Sequence, residues 1–92
     1  MSIQWLFDVI RERKEKLSEG SYTSSLFSEG LPKITQKVGE EASEVIVAAL
    51  AQDDQRLIEE VADLTYHALV LLAARNISLA DVQAELERRH KK

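Results

Sequence analysis

Residues 45–50 and 68–74 contain nothing but Val, Ile, Leu and Ala, and this constrains the fold more than any other feature of the chain. Wound into a helix, such a segment is apolar on every side, so it has no face to give to solvent and must be enclosed. A chain of 92 residues is expected to form one domain over residues 1–92, and chains this short bury only a modest fraction of their surface. One small bundle has too little interior to surround both segments. The pattern therefore predicts a homo-oligomer, in its simplest form a homodimer.

The rest of the chain also reads as helix. Ile3, Leu6, Phe7, Ile10 and Leu17 lie close to helical spacing, predicting an amphipathic helix over residues 3–17 with a charged outer face. Residues 18–30 are rich in Ser and Gly with little periodicity, and read as a loop with at most a short turn of helix. Pro32 suits a first helical turn, where its missing amide proton costs nothing, so a second helix is expected over residues 32–51. Its apolar stripe is Ile34, Val38, Ala42, Val45 and Ala49. Asp53-Asp54 interrupts the pattern and can cap a third helix over residues 54–75, with Leu57, Val61, Leu64, Ala68 and Leu71 as its stripe and Asn76 as its stop. Ser78 and Asp81 resemble a capping box opening a short fourth helix that carries Leu79, Val82 and Leu86. The expected architecture is all-α, a small bundle of about four helices without strands, completed by homo-oligomerisation.

Composition excludes several classes of function. The chain has no Cys, which removes disulfides, zinc-thiolate sites and a Cys nucleophile and suits a reducing, cytoplasmic setting. The first residues show no basic segment leading into an apolar core, and no apolar run approaches the roughly 18 residues a membrane span needs. The reading expects neither export signal nor membrane anchor. A net charge of −4 argues against a nucleic-acid partner, which calls for a dominating basic surface.

The acidic residues are where chemistry is expected. With Glu40 placed at 0° on the second helix, Glu44 falls at about 40° and Glu41 at about 100°, one arc beside the apolar stripe. Glu60, Asp63 and His67 share an arc of about 60° on the third helix while Glu59 points elsewhere, and no Lys or Arg accompanies that arc. An antiparallel pair joined at Asp53-Asp54 can bring the two arcs face to face. Carboxylates so gathered repel unless a divalent cation neutralises them. Oxygen-only ligands select Mg²⁺, with Mn²⁺ as a substitute, over zinc. The alternative is that both clusters are solvated helix faces.

Lys37-Val38-Gly39-Glu40-Glu41-Ala42-Ser43-Glu44, followed by Glu60-Val61-Ala62-Asp63, resembles the E-x-x-E and E-x-x-D signature of the all-α, MazG-like nucleoside-triphosphate pyrophosphohydrolases. Within that superfamily the chain is most similar to the phosphoribosyl-ATP pyrophosphohydrolases of histidine biosynthesis. The narrower resemblance rests on Ser21-Tyr22-Thr23, on Lys37-Val38-Gly39-Glu40-Glu41, and on Glu59-Glu60-Val61-Ala62-Asp63-Leu64-Thr65-Tyr66-His67. It runs from Trp5 to Leu86. The chain resembles the single-function form, having neither the length nor the cysteines of forms fused to a zinc-binding cyclohydrolase.

The resemblance implies Glu41, Glu44, Glu60 and Asp63 as Mg²⁺ ligands, with Glu40 close by as a further ligand or a water-orienting base. It implies removal of pyrophosphate from phosphoribosyl-ATP, with Glu40, Glu41 and Glu44 in the catalytic set. Lys33 and Lys37, one turn apart on the side of Glu40 and Glu44, can hold the anionic chain of the substrate, although Lys37 can equally pair with Glu41. Ser21, Tyr22 and Thr23 offer hydroxyls that can close over ribose or phosphate, or Tyr22 can simply pack. His67 is placed to orient a ligand carboxylate, or is a structural residue. Gly39, costly inside a helix, allows close approach of a ligand or of a neighbouring helix. Two other readings stand beside this one: a housekeeping enzyme that clears non-standard or deoxy nucleoside triphosphates, and a non-catalytic helical interaction module.

Overall fold

Helix starts in this chain are set by short polar side chains that accept the free amide protons of the first turn. The computed structural model describes residues 1–91 and contains, in order, α1 (Ile3–Glu15), α2 (Tyr22–Glu29), α3 (Leu31–Ala51), α4 (Asp54–Ala74) and α5 (Leu79–His90), with no strand among the described residues. Ser2 caps α1 through the Trp5 amide, and Asp53 caps α4 through the Arg56 amide at 2.9 Å. Ser78 and Asp81 form the full reciprocal box at the start of α5. Asn76 takes a positive φ of 58° just past α4, the left-handed geometry that Asn tolerates at a helix end. Lys14 secures that end to α1, donating to the Ala73 carbonyl at 2.9 Å and to Asn76 Oδ1 at 2.6 Å.

Among the described residues the bundle has five helices rather than four, because most of the Ser-rich segment is helix rather than loop. Ser21 accepts from the Ser24 amide and opens α2. Gly30 then stops it at φ 90° and hands the chain directly to α3, with Pro32 in its first turn. Ser24 is buried, accepting from the Ser18 amide and donating to the Arg13 carbonyl. These bonds tie the turn before α2 to the end of α1.

Phe7, Ile10, Leu26, Ile34, Leu69, Val70, Ala73 and Leu79 form the core. It gathers where α1, α2, the first half of α3, the second half of α4 and the start of α5 meet. Residues 68–74 are all buried or half-buried there. Residues 45–50 fare differently: only Ala48 is fully buried, and Leu50 is 84% exposed. The α3–α4 hairpin thus projects beyond the core, with Ile46, Val47, Leu50, Ile58 and Val61 on its surface.

The buried faces are not the expected apolar stripes. On α3 the fully buried residues are Ile34, Glu41 and Ala48, seven apart, while Val38, Ala42 and Val45 are half-buried and Ala49 is exposed. On α4 they are Glu60, His67, Leu69, Val70 and Ala73, whereas Leu57, Leu64, Ala68 and Leu71 are half-buried and Val61 is exposed. Two acids therefore lie within the lines of residues that join the helices, not beside them. No helix is long and apolar enough to cross a membrane among the described residues.

Candidate metal centre

A buried carboxylate is costly unless its charge is matched and its oxygens are bonded, and the α3–α4 pair buries two of them. Glu41 is 6% exposed and Glu60 4%. Packing of α3 on α4 brings them together with Asp63, one carboxylate oxygen from each lying within 4.8 Å of the others. Glu41 Oε1 has the Lys37 ammonium at 3.6 Å, and Glu60 Oε1 accepts from Arg56 at 2.7 Å. The second oxygens, Glu41 Oε2 and Glu60 Oε2, are buried without a hydrogen-bond partner among the described residues.

Arg56 corrects the expectation that the third-helix arc has no basic partner. It stands four residues before Glu60 and reaches both Glu59 and Glu60, the ordinary one-turn spacing of a helical ion pair. The arc runs forward from Glu60, and its basic partner lies one turn behind it. Arg56 does not neutralise the site, however. The Glu44 carboxylate, exposed but set against Glu60, is the main cause that raises the Glu60 pKa above the usual carboxylate value; burial adds to it and Arg56 opposes it.

Around this core of three acids the remaining candidates divide. Glu40 faces solvent, its Oε1 accepting from Gln36 at 2.8 Å and its other oxygen 3.9 Å from Lys37. Lys37 is half-buried; burial lowers the ammonium pKa, but Tyr22, Glu40 and Glu41 together outweigh it and raise the net value. Lys33 is half-buried one turn earlier. Ser21 spends its hydroxyl oxygen capping α2, and Thr23 is buried with its hydroxyl against that of Tyr66. Tyr66 did not figure among the expected site residues; no spacing rule links it to Thr23, which is 43 residues away. Tyr22 reaches His67 Nε2 at 2.8 Å, and His67 Nδ1 meets the main-chain carbonyl of Asp63 at 2.8 Å rather than its carboxylate. Partial loss of solvent raises the Tyr22 pKa; Lys37 opposes the shift, and Glu41, Tyr66 and Glu40 reinforce it. Gly39 has nothing within 4 Å of where a Cβ would stand, so no helix of the same chain packs on it.

The donor set fits a hard divalent cation. All the converging atoms are carboxylate oxygens, two of them buried and unpartnered, and Mg²⁺ or Mn²⁺ takes such ligands with other positions left for water or phosphate. A cluster able to gather phosphate oxygens around a cation is the apparatus of phosphoanhydride chemistry.

The comparisons agree. The profile described as phosphoribosyl-ATP pyrophosphohydrolase matches residues 4–90. The chain is 60% identical over 87 residues to the phosphoribosyl-ATP pyrophosphatase of Listeria welshimeri serovar 6b, covering 95% of this chain and 84% of that one. It is 52% identical over 90 residues to the protein of that name from Clostridium botulinum strain Hall, covering 98% and 82%. With the one from Pyrobaculum calidifontis the identity is 54% over 89 residues, covering 97% and 95%. A profile match over almost the whole chain, with relatives this similar along most of their own length, identifies the chain as a hydrolase belonging to the phosphoribosyl-ATP pyrophosphohydrolase family.

Proposed function

We propose that the protein hydrolyses phosphoribosyl-ATP to phosphoribosyl-AMP and pyrophosphate, the second step of histidine biosynthesis, with Mg²⁺ held by Glu41, Glu44, Glu60 and Asp63. The observation that carries the metal assignment is the pair of buried, unpartnered oxygens on Glu41 and Glu60; the substrate comes from the family. Glu41, Glu44, Glu60 and Asp63 would hold the divalent ion, which would supply positive charge to offset that on the leaving pyrophosphate and would lower the pKa of a water. Lys37 and Lys33 hold the anionic chain beside the acids. Lys37, already raised in pKa by its acidic neighbours, stays protonated for that task. Glu40, the carboxylate left facing solvent, orients the attacking water. Ser21 and Thr23 fix α2 so that Tyr22 faces the substrate. The enzyme works in the cytoplasm as a homodimer.

Pyrophosphate release in Mg²⁺ separates this reading from its nearest competitor. Phosphoribosyl-ATP is expected to turn over rapidly and deoxynucleoside triphosphates slowly, with chelation stopping both. Fast release from the deoxynucleotides and none from phosphoribosyl-ATP overturns the substrate assignment.

Gly39 gives a second check. A helical Gly costs about 0.5 to 1 kcal/mol relative to Ala, and the space above it is empty. Gly39→Ala is therefore expected to raise Tm by a few degrees, since about 1 kcal/mol moves a domain of this size by roughly 4 to 8 °C. If that space serves the substrate or a second copy, activity falls as Tm rises. A more stable variant with full activity removes Gly39 from the site.

A further inference from the structure

We infer that Tyr22 reads a sugar hydroxyl of the substrate as a hydrogen-bond acceptor, and that His67 holds it in that role. The inference rests on the phosphoribosyl-ATP reading above and assigns one residue its part in specificity.

His67 is buried with its ring fixed on both sides. It stacks on Tyr66 at 5.7 Å and 28°, and meets the edge of Tyr22 at 5.8 Å and 83°. Its Nδ1 lies 2.8 Å from the Asp63 carbonyl oxygen. A carbonyl can only accept, so Nδ1 carries a proton. In the neutral ring Nε2 is then bare, and the Tyr22 hydroxyl, 2.8 Å away, donates to it. A phenol has one proton. With that proton given to His67, the Tyr22 oxygen has only lone pairs to offer.

This decides what Tyr22 can recognise. A phosphate oxygen also brings lone pairs and is repelled, whereas a ribose hydroxyl brings a proton. Tyr22 is 51% exposed, and through His67 it is tied to the main chain of Asp63, one of the acids that would gather the phosphates. Of the other two hydroxyls of Ser21-Tyr22-Thr23, Thr23 is buried against Tyr66 and Ser21 is half-buried with its oxygen accepting at the α2 cap. Tyr22 is the most exposed of the three.

The test compares phosphoribosyl-ATP with two analogues, each lacking the hydroxyls of one of its two riboses, on wild type, Tyr22→Phe, His67→Ala and His67→Gln. Tyr22→Phe is expected to raise KM for the full substrate roughly five- to tenfold, the effect of one neutral hydrogen bond, and to leave KM unchanged for the analogue without the hydroxyl it reads. Whichever analogue is insensitive identifies the ribose. His67→Ala frees the phenolic proton and is expected to lose the same selectivity with Tyr22 intact, while His67→Gln, whose amide oxygen can accept from Tyr22, restores it. A purely structural role for His67 would weaken all three substrates alike. Equal losses on all substrates, or none with Tyr22→Phe, overturn the inference while leaving the proposed function standing. A wild type inactive on phosphoribosyl-ATP brings down the function and the inference with it.

Discussion

Glu60→Gln is expected to cut activity by more than about a hundredfold, the upper end of what is lost when only a ligand's supporting partner is removed, without lowering the Tm of the metal-free protein. The two effects have one cause. Glu60 is buried with one oxygen unpartnered, and Glu44 stands against it. In the absence of a cation that arrangement opposes folding, so an uncharged amide of the same shape fits at least as well, and its oxygen can still accept from Arg56. With a cation bound, the same carboxylate becomes a ligand that Gln replaces poorly. Metal at a hundred times its dissociation constant stabilises a folded state by about 2.7 kcal/mol, a Tm rise on the order of 10 to 20 °C here. Wild type is expected to show that rise, and Glu60→Gln and Asp63→Asn to lose most of it.

Acidity gives the same prediction a second readout. Glu60 has its folded pKa raised above the ordinary 4.5, through Glu44 first and then burial. A carboxyl raised on folding contributes stability that is fully present below its unfolded pKa and is lost as pH rises through the folded value. Metal-free wild type should therefore gain stability relative to Glu60→Gln as pH is lowered through the folded pKa of Glu60 towards its ordinary 4.5. In saturating Mg²⁺ the trend reverses, because protons compete with the ion for the carboxylates. Glu60→Gln should flatten the metal-free trend. A wild type whose Tm ignores Mg²⁺ at every pH, or a Glu60→Gln variant that responds as wild type does, would refute the site.

How much of this was legible in the sequence depends on which interaction decided each element. The long helices, the turn at Asp53, the stop at Asn76 and the Ser78–Asp81 box were all readable, because each is settled within one or two turns of chain. The helix α2 was not. Its eight residues are too few to show a period, and it is held by contacts from Ser24 to α1 and from Tyr22 and Thr23 to α4 that no local pattern contains. The convergence of Glu41, Glu60 and Asp63 followed from counting along two helices joined by a short turn. Their burial did not follow. Both helices are apolar on more than one side, and hydrophobicity alone set the inner line to one side of where it runs, because that line is interrupted by Glu41 on α3 and by Glu60 and His67 on α4. Ile34 of the α3 stripe is in the core and Leu71 of the α4 stripe packs against it, but Leu57, Leu64, Ala68 and Leu71 remain only half-buried and Val61 exposed in the folded chain.

That uncovered surface leads to the other large expected effect, conversion of a dimer to a monomer by Leu50→Lys combined with Ile58→Lys. Leu50 is 84% exposed and Ile58 62%, with Ile46, Val47 and Val61 also bare. Apolar side chains clustered on a projecting hairpin are the mark of a surface that another chain covers, and the α4 stripe extends it towards the core. A second copy is the occupant that the sequence itself supplies, because its identical hairpin offers the same apolar side chains in return. Burying a Leu and an Ile side chain contributes about 3 to 6 kcal/mol on each copy, so losing all four weakens such a dimer by upwards of about ten-thousandfold, before the cost of burying four ammonium groups is added. Light scattering is expected to give twice the 10.4 kDa chain mass for wild type and the single mass for the double variant at equal concentration. Glu44 lies two residues before Ile46 and Glu60 one before Val61, so the acids sit at the edge of this surface. Activity per chain should consequently fall on dissociation, both in the double variant and on dilution of wild type. A wild type that is monomeric and fully active at every concentration would show instead that the hairpin is covered by nothing the enzyme needs.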